Sequence, residues 1–364
     1  MRIWAQRLPT ASPADCTALQ AILQRGEIAA SAVIAVIGKT EGNGGRNDFS
    51  RELAVRAYAD CLAQAAGSSR EAIEEQVVLS FSGGTEGVVS PHVLVLARLN
   101  DGIPQPGCKR LAVAVGHTRD FAPHEVGRLA MVQETARTVR RLMDELAVAD
   151  AADVHLVQIK GAIPVVSAAQ QHAAAAAGRP LRCDMVHSRA ASALGVAVAT
   201  GEVAADQITD ECIARDYTLF SSVASCSAKP GLARSEIVLF ANVAHYGGDL
   251  VMAHGVMQDI IDAEAVRAVL TQLGFDASRQ LSPEETERLV GLFAKADADP
   301  RGSVRGRRHT MWSDDDISDT RHARAVVSTV LATLTGETAV YVSTRAEHHG
   351  PLGGGPVAIL ARMP

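Results

Sequence analysis

One order of features recurs three times along this 364-residue chain. A lysine closes an apolar run, an arginine stands near the start of a helix pattern, and a serine closes the next apolar run. The sets are Lys39, Arg51 and Ser82, then Lys160, Arg189 and Ser227, then Lys295, Arg321 and Ser343. The period of about 120 residues is too long for a solenoid repeat, and three such units more naturally close around a threefold axis. The expected architecture is α+β: three homologous units, residues 1–103, 104–248 and 249–364, with pseudo-threefold symmetry. Brought to that axis, the three sets of side chains would share one site.

The local patterns repeat in register. In the first unit, residues 1–8, Ala32–Ile37, the stretch from Val77 to Ser82 and His92–Leu99 read as strands, and Ser50 reads as the cap of a helix to about Ala66. In the second, Arg110–Val115, Val154–Ile159, Ser221–Ser227 and Ser235–Val243 read as strands. Pro123–Leu146 reads as a long amphipathic helix there, and Ser188 as the cap of a small-residue helix to about Ala199. In the third, strands are expected from Leu250, over Val290–Ala294, Val340–Ser343 and Pro356–Arg362, with helices near 262–272 and 283–289 and from Asp319 to Leu334.

Composition excludes several classes. A net charge of -6 leaves no basic footprint for phosphate, and two Trp, four Tyr and seven Phe give little surface for stacking bases, so no nucleic-acid partner is expected. Six cysteines without a C-x-x-C pair read as free thiols of a reducing cytoplasm. No signal core opens the chain and no apolar run reaches membrane length, so the expected protein is soluble, cytoplasmic and without a membrane partner. Gly38-Lys39-Thr40 is not a phosphate loop, because Val33 stands where that motif needs glycine.

The triplets carry chemistry. A serine becomes a nucleophile when a base takes its proton, and a lysine can do so only when neutral. Desolvation and neighbouring positive charge both favour the neutral amine. Arginines in a helix's first turn suit carbonyl oxygens or an anion. The small residues after the serines, Gly83, Ala228 and Thr344, leave backbone N–H groups free to meet a developing oxyanion. Three such sets around one axis fit a small ligand with three carbonyls at threefold spacing, a cyclic imide. Asp314-Asp315-Asp316 with Asp319 reads as a solvated turn before a helix. The loop Glu347-His348-His349-Gly350-Pro351-Leu352-Gly353-Gly354-Gly355 would offer backbone carbonyls to a hard cation rather than a pair of imidazoles.

Several motifs together resemble the cyanuric acid hydrolase and barbiturase family of ring-opening amidohydrolases over essentially the whole chain. They are Val36-Ile-Gly-Lys-Thr-Glu-Gly-Asn-Gly, Ser82-Gly-Gly-Thr-Glu-Gly, Ser188-Arg-Ala-Ala-Ser-Ala-Leu-Gly, Met252-Ala-His-Gly-Val-Met, Thr320-Arg-His-Ala-Arg-Ala-Val and Gly350-Pro-Leu-Gly-Gly-Gly-Pro. The resemblance implies a barrel-like β core with helices outside and an active site on the axis, and hydrolytic opening of cyanuric acid to carboxybiuret, which loses carbon dioxide to give biuret. It gives the catalytic role to Ser227 and Lys160. Ring contacts fall to Arg51, Ser82, Gly83, Arg189, Ser227, Ala228, Arg321, Ser343 and Thr344, with Lys39 and Lys295 as supporting lysines. It implies no organic cofactor, a structural Mg or Ca ion near Asp297, Ala346, His349, Gly350, Pro351 and Gly354, and a homo-oligomer, a tetramer. Two alternatives stay open: barbituric acid as the substrate, and a cyclic-imide binding protein without catalysis.

Overall fold

The computed structural model describes residues 1–45, 47–84, 86–309 and 318–363; the acidic run Asp314-Asp315-Asp316 lies outside them. Fourteen strands and nine α-helices are found among the described residues. The first sheet holds β1 (Arg2–Pro9), β2 (Val33–Lys39), β3 (Val78–Ser82) and β4 (His92–Leu99). The second holds β5 (Arg110–His117), β6 (Val154–Ile163), β7 (Ala224–Pro230) and β8 (Glu236–Val243). The third holds β9 (Leu250–Met257), β10 (Leu289–Lys295), β13 (Tyr341–Ser343) and β14 (Gly355–Arg362), while β11 (Ser303–Val304) and β12 (Arg307–Arg308) form a separate hairpin.

The three sheets share one strand order. It reads β1-β4-β2-β3, β5-β8-β6-β7 and β9-β14-β10-β13, with the last pair parallel and the others antiparallel each time. A register irregularity also falls near the start of each central strand, between Val33 and Ala35, Val154 and Leu156, and Leu289 and Gly291. An extra residue there increases local twist, so each central strand turns in the same way before it delivers its lysine. The sheets do not close into one hydrogen-bonded barrel, which corrects the barrel-like core; they are three separate four-stranded sheets.

Strand alternation places one face of each sheet in a shared core. Ile37 and Leu96 from the first, Val113 and Phe240 from the second, and Phe293, Tyr341 and Leu360 from the third belong to one buried cluster. Phe293 bridges two sheets, with its ring 6.0 Å from Phe240 and 5.7 Å from Tyr341. The opposite faces pack on helices. Val36 and Val95 meet α1 (Thr17–Gln24) and α2 (Ser50–Ala66), which is followed by the short α3 (Arg70–Gln76). In the second third, α4 (Leu129–Glu145) and α6 (Met185–Thr200) pack together, with α5 (Ala168–Ala176) an exposed excursion between β6 and α6. In the last third, α7 (Ala263–Gln272) and α9 (Asp319–Thr335) cover the sheet, and α8 (Pro283–Glu287) leads into β10.

Several local expectations need correction. Helix α4 starts at Leu129 rather than Pro123, because Gly127 takes a left-handed φ of 67° that ends any earlier helical turn. The α2 cap is Phe49, with Ser50 already inside the helix, and Asp184 rather than Ser188 caps α6 by accepting from the His187 N–H. Ser188 is buried and donates to the Ala162 carbonyl. Strand β7 does not stop at Ser227 but runs on to Pro230, where Ala228, Lys229 and Pro230 pair with Gly161, Ala162 and Ile163.

Candidate active site

The parallel strand pair of each sheet sets a lysine directly opposite a serine. The register partners are Lys39 with Ser82, Lys160 with Ser227, and Lys295 with Ser343. Partners in a ladder share a face, so every amine emerges beside a hydroxyl.

All three lysines are buried, at 1%, 3% and 0% exposure, and none forms an ion pair among the described residues. An ammonium so enclosed would cost several kcal/mol, so the amines favour neutrality. Burial is the main cause, and an arginine is the next: Arg324 beside Lys39, Arg51 beside Lys160, and Arg189 beside Lys295. Lys160 and Lys295 are pushed down to about 7, and Lys39 falls well below its ordinary value. Each lysine therefore feels an arginine from a different third of the chain. The amines also tie the serine strands. Lys39 Nζ donates to the Gly83 and Val342 carbonyls at 2.9 Å, and Lys160 Nζ to the Phe81 carbonyl at 2.7 Å. Lys295 Nζ donates to Ser343 Oγ and the Thr344 carbonyl, both at 2.9 Å.

A carboxylate holds each arginine. Arg189 meets Glu347 in a buried two-point pair at 2.9 and 2.8 Å. Arg324 meets Glu86 in the same way, and its Nη1 also donates to Thr344 Oγ1 at 3.2 Å. Burial pushes Glu347 and Glu86 up, but their arginines outweigh it and hold both carboxyls below the usual range. Glu86 and Glu347 each lie four residues after a site serine; the matching position after Ser227 is Gly231. Arg51 is matched instead by Asp48, with Nε 3.6 Å from the carboxylate, and that buried Nε has no hydrogen-bond partner among the described residues.

These groups converge on a cavity of about 60 Å³. Arg51, Ser82, Gly83, Lys160, Arg189, Ser227, Ala228, Ser343 and Thr344 all line it, together with Arg324 and Arg345. It is far smaller than the roughly 300–1,000 Å³ of drug-sized sites. Another cavity, about 770 Å³ between α1 and α2, has no charged side chain in its lining among the described residues. Lys39 and Lys295 stand behind the wall and hold its carbonyls. Arg321 is elsewhere: its side chain is 56% exposed and approaches Glu86 from outside at 3.6 Å, while Arg324, one turn on, enters the cavity. The motif contained both arginines. The apolar stripe Ala323, Val327 and Leu331 buries the side of α9 next to Arg324, and that periodicity was the available signal. The repeated Ser-x-x-x-Glu spacing was likewise the signal for Glu86 and Glu347.

A second cavity, about 140 Å³, adjoins the last loop and is lined by Asp297, Ala346, Glu347, Gly350, Pro351 and Gly354, with Asp319 and Arg345. Burial raises the Asp297 carboxyl to about 6, and the neighbouring Asp319 and Glu347 carboxylates push it the same way. Among the described residues no three His, Cys, Asp or Glu side chains converge as metal ligands. The oxygen atoms at this cavity, the Asp297 carboxylate and the loop carbonyls, are of the type that suits a hard cation. The His349 ring is excluded as a ligand, since Nε2 accepts from the Cys226 N–H at 2.9 Å and Nδ1 donates to the Glu347 carbonyl at 2.6 Å.

The family profile for amidohydrolase ring-opening proteins matches residues 5–362. A cyanuric acid amidohydrolase of Enterobacter cloacae is 45% identical over 98% of both chains. One of Bradyrhizobium diazoefficiens is 46% identical over 98% of this chain and 97% of its own. A cyclic amide hydrolase of Azorhizobium caulinodans is 40% identical over the full length of both. Among solved structures, a cyanuric acid hydrolase superposes with a TM-score of 0.91 at 43% identity, covering 99% of each chain.

Proposed function

The chain belongs to the ring-opening amidohydrolase family, and on that premise we propose that it hydrolyses cyanuric acid, using Lys160 and Ser227 as its reacting pair. Neutral Lys160 takes the Ser227 proton as Oγ attacks a ring carbonyl carbon. The ring C–N bond breaks, the leaving nitrogen receives that proton from Lys160, and an acyl-serine remains. Water, deprotonated by the same amine, then frees Ser227 and releases carboxybiuret, which decarboxylates to biuret. Arg51, Arg189 and Arg324 bind the ring oxygens, and the backbone around Gly83 and Thr344 offers N–H donors to the other carbonyls.

The observation that carries the choice of pair is the shape of the second sheet. Lys160 is the lysine whose side chain lines the cavity, and Ser227 lies within a strand that continues on both sides of it, whereas Ser82 and Ser343 end theirs. A nucleophile held inside a strand is better positioned than one at a loop junction. The rival pair is Lys295 and Ser343, joined by a 2.9 Å hydrogen bond.

The shared strand order and the cyclic pairing of lysines with arginines support pseudo-threefold units at 1–103, 104–248 and 249–364, with the site on their common axis. Three comparable arginines favour a symmetric ring over barbituric acid, in which CH2 replaces one N–H. A structural divalent cation fits Asp297 and the carbonyls of Ala346, His349, Gly350, Pro351 and Gly354. When bound it would supply charge neutralisation and brace the loop that carries Glu347. Comparing turnover of cyanuric and barbituric acids tests the substrate: cyanuric acid should give biuret with the higher kcat/KM, and preference for barbituric acid would reject it.

A further inference from the structure

Another cavity, about 330 Å³, is lined by Glu52, Glu74, Lys229 and Glu236 among apolar side chains. Neighbouring residues line the two cavities: Arg51, Ser227 and Ala228 the reaction cavity, Glu52 and Lys229 this one. Glu236 opens β8 and is the antiparallel register partner of Lys160, so amine and carboxyl lie on the same face of the sheet.

The other lysines have no such neighbour in their ladders. His92 stands opposite Lys39; it is buried, its imidazole is pushed down to about 4 by that burial, and its Nδ1 bonds the Ser90 carbonyl. The ladder between β10 and β14 ends at Ala294 and Val357, before Lys295. The Lys160 amine donates to the Phe81 carbonyl rather than to Glu236. The two groups are therefore linked by their register and by charge, the Glu236 carboxylate favouring the ammonium form of Lys160.

We infer that Glu236 is a positioning residue for Lys160 that passes protons between its amine and water in the 330 Å³ cavity. The inference rests on Lys160 and Ser227 being the reacting pair. Hydrolysis of the acyl-serine forms a carbamic acid, which ionises to a carbamate and one proton. Lys160 holds that proton as an ammonium in an enclosed site. A bridging water carries it to the Glu236 carboxylate, the resulting carboxylic acid gives it to water in the cavity, and Lys160 is neutral again. Burial raises the Glu236 carboxyl above its ordinary value, toward the range in which it can both accept and release a proton. The charged groups around the relay are Arg51 on α2, Lys229 on β7, Lys295 on β10 and Lys39 on β2 near Lys160, with Lys229, Arg234, Glu74 and Glu52, the ion-pair partner of Lys229, near Glu236.

The test is the pH profile of cyanuric acid hydrolysis for the wild type, Glu236→Gln and Glu236→Asp. In E236Q, plateau kcat should fall about tenfold with KM within about twofold, a modest share of what general acid-base groups supply. Its acidic limb should move to lower pH, because the carboxylate that favours the ammonium form of Lys160 is gone. E236D should keep the limb in place and lose part of the plateau rate, since its shorter side chain widens the gap. A wild-type plateau and an unmoved limb in E236Q would overturn the inference. If E236Q does not fold, an unchanged plateau in E236D overturns it instead. Failure of the underlying pair looks different: Lys160→Ala would then retain turnover.

Discussion

Glu347 grips Arg189 at two points, 2.9 and 2.8 Å, in a buried pair that joins the loop after Ser343 to the helix of the middle third. The carboxylate thus aims an arginine that belongs to another repeat. Removing one partner of a buried pair leaves the other uncompensated, at a cost of about 3–5 kcal/mol. Glu347→Ala should lower the unfolding midpoint in denaturant accordingly and raise KM. A midpoint and KM like those of the wild type would show that the pair does neither.

Arg324 and Arg321 provide a paired contrast on one helix. Losing a charge-assisted contact of about 1.5–3 kcal/mol should lower kcat/KM by about 10- to 100-fold in Arg324→Ala. Arg321→Ala removes an exposed contact worth about 0–1 kcal/mol and should stay within about fivefold of wild type. Steady-state kinetics on both variants checks this, and a larger loss in R321A would return the ring contact to Arg321.

The base must be uncharged to act. With Lys160 pushed down to about 7, mostly by burial and next by Arg51, the neutral fraction grows as pH rises through that value. The kcat/KM profile should fall below about pH 7 with a limiting slope of one proton. A flat profile from pH 5 to 8 would deny the lysine this role.

If a cation sits against Asp297, it stabilises the folded state by mass action, about 2.7 kcal/mol at a hundred times its dissociation constant. Dialysis against EDTA should lower the thermal midpoint, and added Mg or Ca should restore it. Asp297→Asn should lose the response. An EDTA-insensitive midpoint would remove the cation from the account.

Phe293 reports on the common core, because it lies between Phe240 of the second sheet and Tyr341 of its own. Phe293→Ala should cost about 3–5 kcal/mol in denaturant unfolding. A loss below about 1 kcal/mol would mean that the sheets do not depend on that contact.

Much of this arrangement was legible in the sequence, because apolar runs that end in Lys or Ser can be read by eye. The cavity brings together Arg51, Ser82, Lys160, Arg189, Ser227 and Ser343 from sites as far apart as residues 51 and 343. What escaped depended on geometry outside local pattern. Arg321 and Arg324 sit in one motif, and only the packing of α9 decides which is buried. Asp48 takes the place of a glutamate that the middle unit lacks at Gly231, a substitution across elements that no spacing rule reveals. The continuation of β7 past Ser227 comes from pairing with Gly161–Ile163, a tertiary effect that carries the strand beyond the end of its apolar run.

The most direct test is the rate of biuret formation from cyanuric acid by Ser227→Ala, with Ser343→Ala measured alongside. Removal of a catalytic nucleophile leaves only binding and electrostatic help, so S227A should fall by about 10⁴-fold or more in kcat while S343A retains measurable turnover. A Ser227→Ala enzyme with near wild-type turnover, or a deeper loss in Ser343→Ala, would contradict the assignment.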